Sequence, residues 1–246
     1  MKRRGGKSTP TKRRGATSRP SARGEHRESG GDAAGRVASQ RITWEGGTVS
    51  AAWHHAGGDT LLALTHGAGG TMETPSLRSF AIAMAARGVD VVRFNLPYAE
   101  AGRKSPGPPA RDEACWAAVA AHLRPRARRL FLGGRSYGGR MASHAVAAGT
   151  ACDGLVFLAY PLHPPGDKQA LRTAHLGRIT VPMLFLQGTR DAFADWGLLE
   201  RAVAALPRAT LHRIEGADHG HAVRGRGVDE VMAELADVTC AWMGEI

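Results

Sequence analysis

From Arg41 onward, short runs of Val, Leu, Ile and Phe alternate with longer stretches whose apolar residues recur every three or four positions. Side chains repeat with a period of two along a strand and 3.6 along a helix, so the alternation predicts strands and helices in turn. The architecture that buries both is a mostly parallel sheet with helices on both faces. Eight strands are expected: Arg41 to Glu45 and Thr48 to His54 around a Gly46-Gly47 turn, then Thr60 to Thr65, Val89 to Phe94, Arg129 to Gly133, Gly154 to Tyr160, Met183 to Gln187 and Thr210 to Ile214. Thr74-Pro75 reads as an N-cap followed by Pro at the first helical position, ahead of a stripe of Leu77, Phe80, Ala81 and Met84. Trp116, Val119, Ala120 and Leu123 form a second stripe, and Val228, Val231, Met232, Leu235 and Trp242 a third, all read as core.

Pro and Gly collect in two loops that follow strands, Ala101 to Pro109 and Pro161 to Gly166. In an open parallel sheet such loops border the ligand crevice, so both are candidate pocket walls. Too few residues separate the strand ending at Tyr160 from the one starting at Met183 to hold a lid domain. An open site with a minimal lid, or none, is expected.

One loop carries recognisable chemistry. Gly134-Arg135-Ser136-Tyr137-Gly138 follows an apolar strand and precedes a helix-forming run, Met141 to Ala148, which is the context of a nucleophile elbow. A short match of this kind also arises by chance, so the context decides. Gly134 and Gly138 flank a sharp turn where a Cβ would clash. Serine is a poor nucleophile at neutral pH and needs a base, a group to orient that base, and donors for a developing oxyanion.

In an elbow-bearing fold the acid and the histidine follow in that order, after later strands. Asp191 lies just beyond the seventh expected strand, with Asp195 as the fallback. After the eighth comes Asp218-His219-Gly220-His221, in which His219 is the first choice of base and His221 the alternative. The same stretch could be read as a metal fragment, but no third ligand has suitable spacing, and neither a metal nor a cofactor is expected. The oxyanion donors are assigned to the backbone N–H groups of Tyr137 and, in the Gly-rich loop His66 to Gly70, of Ala68, with Gly69 next. Arg93, Arg103, Lys104 and Arg135 fall in or near loops expected to face the crevice and point to an anionic group on a substrate. Arg135 and Arg140 could equally bond within the elbow.

These residues resemble the α/β-hydrolase superfamily. Within it, the similarity is to the branch typified by testis-expressed protein thirty and subunit three of the NSL chromatin complex. It is carried by His66-Gly67-Ala68-Gly69-Gly70, Arg93-Phe94-Asn95-Leu96-Pro97-Tyr98, Gly134 to Arg140, Tyr160 to Gly166, Gly188-Thr189-Arg190-Asp191 and Ala217-Asp218-His219. The resemblance implies a hydrolase core with Ser136, Asp191 and His219 as its triad. It implies no particular substrate, and some relatives serve as complex subunits. A looser similarity to dienelactone hydrolases and carboxylesterases implies ester chemistry, with Ser136 where the former carry a Cys.

The net charge of +11 invites a nucleic-acid reading, but it is unevenly placed. Residues 1–41 hold 12 of the 33 Lys and Arg and 3 of the 22 acids, so +2 remains for the rest of the chain. Residues 1–40 have almost nothing apolar to bury and are expected to be a disordered basic tail, with a hydrolase domain over 41–246. The tail would attract nucleic acid weakly. It lacks the apolar stretch of a secretory signal, and no run approaches the length of a membrane span. Cys115, Cys152 and Cys240 have no paired spacing and read as reduced residues of a cytoplasmic protein. The expected function is a serine hydrolase acting on a small-molecule ester, thioester or amide. The rival is a hydrolase-fold scaffold tethered by its tail.

Overall fold

The computed structural model describes residues 36–246. The expected tail falls outside the described residues except at its end, where the first strand begins earlier than Arg41. The strands are β1 (Val37–Trp44), β2 (Gly47–His54), β3 (Thr60–Thr65), β4 (Asp90–Phe94), β5 (Arg129–Arg135), β6 (Gly154–Leu158), β7 (Met183–Gly188) and β8 (Ala209–Ile214). The helices are α1 (Pro75–Ala85), α2 (Pro97–Glu100), α3 (Pro109–Leu123), α4 (Tyr137–Ala147), α5 (Trp196–Ala204) and α6 (Val228–Gly244). All eight expected strands are present. They form one sheet in the order β1-β2-β4-β3-β5-β6-β7-β8, with β2 antiparallel to both neighbours and the remaining pairs parallel.

The sheet is buried on both faces, and consecutive strand residues divide between them. Leu61, Ala63, Leu130, Leu132, Leu155, Phe157, Met183 and Phe185 face a core built with Trp116 of α3, Met141 of α4 and Leu199 of α5. Leu62, Leu64, Phe131, Val156, Leu158, Leu184 and Leu186 face Phe80 of α1 and Met232 and Leu235 of α6. Strands buried on both sides read as continuous apolar runs, which is why they were visible in the sequence. Truncating such a side chain, as in Leu62→Ala, is expected to cost about 2–5 kcal/mol.

Several details differ from expectation. Thr74 occupies the N-cap of α1, but its hydroxyl donates to the Thr71 carbonyl at 2.8 Å instead of accepting from the helix. Pro75 stands at the first helical position as expected. Val228 is 45 % exposed in the first turn of α6, whereas the rest of its stripe is buried. β6 stops at Leu158 because Ala159 turns into the left-handed region at φ 58°.

Between β6 and β7 the chain holds a single short turn of 3-10 helix, Leu176–Arg178, and no lid domain. The sheet order places the site. β3 leads outward to β4 on one side, and β5 leads to β6 on the other, while β3 and β5 are hydrogen-bonded neighbours. Loops leaving such a switch point diverge and open a crevice at the carboxyl ends of the strands.

Candidate active site

β5 runs into α4 through a single residue. Ser136 has φ 51° and ψ −117°, a conformation that a non-glycine residue enters at a cost of about 1–3 kcal/mol and keeps only when its surroundings hold it. Its N–H donates to the Leu158 carbonyl at 2.9 Å, and its carbonyl accepts the Arg140 N–H at 3.0 Å. The flanking glycines are needed against β3 as well as against each other. A Cβ on Gly134 would lie 2.5 Å from the Thr65 carbonyl oxygen and 3.1 Å from Gly139 N, and one on Gly138 would lie 2.5 Å from the His66 carbonyl oxygen.

Asp191 lies past the end of β7 with its side chain fully buried. Its Oδ1 accepts the Phe193 N–H at 2.7 Å, and its Oδ2 accepts Gln187 Nε2 at 2.6 Å. His219 Nδ1 also reaches Oδ2, at 2.7 Å, and His219 Nε2 stands 2.8 Å from Ser136 Oγ. The three residues thus form one hydrogen-bonded line although 28 and 83 positions separate the partners in sequence. The Phe193 ring packs on the imidazole at 4.2 Å between centroids.

The loop that presents His219 is built by Asp218, whose Oδ1 accepts the N–H groups of Gly220 and Ala222. His221 turns the other way. At φ 60° it buries its ring and places Nε2 3.2 Å from the Leu186 carbonyl, and burial lowers its pKa to about 4. Asp218, His219 and His221 therefore diverge, each with its own partners, unlike ligands converging on one ion. Asp195, the fallback acid, caps α5 through Leu198 N–H and pairs with Lys168 at 2.6 Å.

The loop after β3 abuts the elbow: a Cβ on Gly67 would lie 3.3 Å from Ser136 Cβ. His66 is buried, and its Nε2 accepts the Leu96 N–H at 3.1 Å, which leaves the proton on Nδ1 to donate to the Gly67 carbonyl at 2.9 Å. Burial lowers the His66 pKa and keeps the ring neutral. Tyr98 Oη donates to the same carbonyl at 3.1 Å. The Ala68 N–H lies trans to that carbonyl in one peptide plane, so it points away from His66 and Tyr98. Tyr137 opens α4, and its N–H has no acceptor within the helix.

The four basic residues expected at the crevice separate into three groups. Arg93 is a correction: it is 2 % exposed, donates to His54 Nε2 and the Met72 carbonyl, and pairs with Glu73 at 3.4 Å. A β4 residue in the middle of the sheet has no route to solvent, and Arg93 instead secures the start of the segment leading into α1. Burial and the nearby Arg93 charge hold its partner His54 at a pKa of about 4, neutral and able to accept. Arg135 donates from Nη2 to the His219 carbonyl at 3.0 Å, tying the elbow to the histidine loop. Arg103 and Lys104 are exposed, on the loop whose Lys104 carbonyl passes 3.8 Å from the Cβ position of Gly69.

Sequence reasoning assigned no individual role to Gln187, His66, Tyr98 or Phe193. Gln187 could have been found as a polar residue ending an apolar strand four positions before Asp191. The others depend on contacts between distant segments.

Solved structures of the same fold include an α/β serine hydrolase without lid from Xanthomonas campestris, 21% identical over 84% of this chain and 94% of that one, with a TM-score of 0.65. The Pyrococcus furiosus esterase Pf2001 is 16% identical over 87% and 94%, with a TM-score of 0.69. Est1E from Butyrivibrio proteoclasticus is 13% identical over 84% and 99%, with a TM-score of 0.67. The family model described as an alpha/beta hydrolase domain matches residues 58–244, from just before β3 to the end of α6, and the chain belongs to that family.

Proposed function

We propose that this chain is a serine hydrolase that cleaves a carboxylic ester, or a thioester or amide, through an acyl-enzyme on Ser136. The observation that carries the reading is the hydrogen-bonded line from Ser136 Oγ through His219 to Asp191. As Ser136 Oγ bonds to the acyl carbon, its proton passes to His219 Nε2. Asp191, fixed by Gln187 and Phe193, accepts the Nδ1 proton in a hydrogen bond and stabilises the imidazolium. The Tyr137 and Ala68 N–H groups receive the oxyanion. His219 then protonates the leaving group, and a water activated by the same imidazole releases the acid and restores the serine.

His219 is preferred to His221 as the base because the latter is turned toward Leu186. Arg103 and Lys104 are assigned to substrate approach, being exposed beside the Gly69 loop. That the Pyrococcus furiosus neighbour is an esterase fits ester chemistry. The placement beside testis-expressed protein thirty rests on the sequence motifs alone.

A fluorophosphonate probe tests the reading. Wild type should label at one site, and the label should disappear in Ser136→Ala and fall sharply in His219→Ala. A well-folded wild type that does not label would overturn it and favour a scaffold.

A further inference from the structure

Arg140 lies one helical turn from Ser136, its backbone N–H bonded to the serine carbonyl at 3.0 Å. Its guanidinium carbon sits 5.4 Å from the centroid of the Tyr137 ring. A cation over a ring face gains attraction, but the ring face satisfies none of the in-plane donors. Arg140 Nε is buried with no hydrogen-bond partner, and among the described residues no carboxylate lies within ion-pair distance of Arg140.

A second cation follows β6 in the chain. Arg172 is half-buried on the long connection after β6, where its N–H donates to the Leu162 carbonyl at 2.8 Å and its carbonyl accepts Tyr160 Oη at 2.6 Å. Tyr160 stands two residues past Leu158, whose carbonyl holds the Ser136 N–H. Arg172 is therefore anchored to the segment that supports the nucleophile. No carboxylate pairs with it among the described residues.

Burial, and after it the charge of Arg140, pushes the Arg172 guanidinium below its ordinary pKa. Glu113, the carboxylate on the adjoining helix, is taken by His144 at 3.3 Å. Holding like charges partly out of water is unfavourable unless an anion comes between them, and two planar guanidiniums suit a carboxylate or a phosphoryl group.

We propose that Arg140 and Arg172 form an anion subsite beside Ser136 that takes the charged end of an acidic ester, an assignment of substrate class that rests on the hydrolase reading above. Arg172 replaces Arg93 as the partner cation that the sequence sought in the crevice.

The test uses full-length protein with three nitrophenyl esters of matched length: neutral butyrate, the monoester of succinate, and one ending in a phosphonate. Wild type should prefer an acidic ester, and whichever is preferred identifies the anion. Arg140→Gln and Arg172→Gln should each lower the acidic-to-neutral ratio of kcat/KM by about 10- to 100-fold, chiefly through KM, and Arg172→Lys should recover part of it. Equal use of acidic and neutral esters by wild type, or a preference unmoved by both substitutions, would overturn the subsite while leaving the hydrolase reading intact. If no ester turns over and the fluorophosphonate probe does not label, the hydrolase reading fails, and calorimetric titration of Ser136→Ala with monomethyl succinate and its phosphonate counterpart still decides. Heat lost on adding Arg140→Gln upholds the subsite, and no heat overturns it.

Discussion

The two edges of the parallel sheet are built on different terms. At the amino ends of β3, β5 and β6, ion pairs are exposed: Asp59 before β3 pairs with Arg128 before β5 at 2.6 Å, and Asp153 before β6 pairs with Arg124 at 2.6 Å. At the carboxyl ends they are buried, with His66, Gln187, Asp191 and His221 each 6 % exposed or less. The non-glycine residues with left-handed φ among those described, Ser136, Ala159 and His221, all follow carboxyl ends. Exposed pairs are screened and nearly interchangeable with water, so the amino edge tolerates change. Buried polar groups and strained backbone persist only when every partner is in place, so the carboxyl edge is where sequence is spent on something other than stability.

Substitutions that break this contrast should differ widely in effect. The largest is expected at the proposed nucleophile: Ser136→Ala should lower ester turnover by about 10⁴- to 10⁶-fold with an unchanged melting curve, measured in single-turnover assays and by calorimetry. Asp191→Asn should cost about 10⁴-fold, because the amide favours the wrong tautomer of His219. A melting point unchanged and a turnover near wild type in either variant would remove the proposed chemistry from this edge.

Next is the elbow. Gly138→Ala places a methyl group 2.5 Å from the His66 carbonyl oxygen and 2.6 Å from Thr65 Cγ2, and should destabilise by about 1–3 kcal/mol in urea titrations. A value near zero would mean that β3 and α4 can separate freely.

Acid sharpens the comparison further. His221 has a pKa of about 4 in the fold against 6.5 when free, so between those values the unfolded chain binds a proton that the folded chain does not. Its contribution to stability is therefore full above about pH 6.5 and falls as pH drops toward 4. His221→Asn, a residue that accepts left-handed φ, should flatten the stability-against-pH curve over that window. An unchanged slope would show that the ring is accessible to protons in the fold. His54, at about 4 for reasons of burial, should leave a residual slope in the same window.

The smallest effect is expected at the amino edge. Arg124→Gln, which removes a half-exposed pair, should change stability by about 0.2–1 kcal/mol and leave turnover unaffected. A larger loss would erase the distinction between the two edges.

Much of the fold was legible because the central strands, β3 to β7, are buried on both faces, so their sequences are continuous apolar runs bounded by turns. Ends were less legible, since Ala159 looks like more strand and stops β6 only through its backbone conformation. Arg93, at the end of the expected fourth strand, read as a crevice cation, yet its side chain is buried under the segment leading to α1.

By itself the sequence determined the class of sheet, the elbow around Ser136 and the order in which an acid and a histidine follow it, because these depend on local periodicity and on residues within one turn. The tertiary structure decided the rest. Which of two histidines faces the serine, which arginines are left without a carboxylate, and why Gly138 cannot carry a side chain all depend on distances between segments far apart in the chain. Those distances are fixed only when β3, β5 and β6 lie side by side.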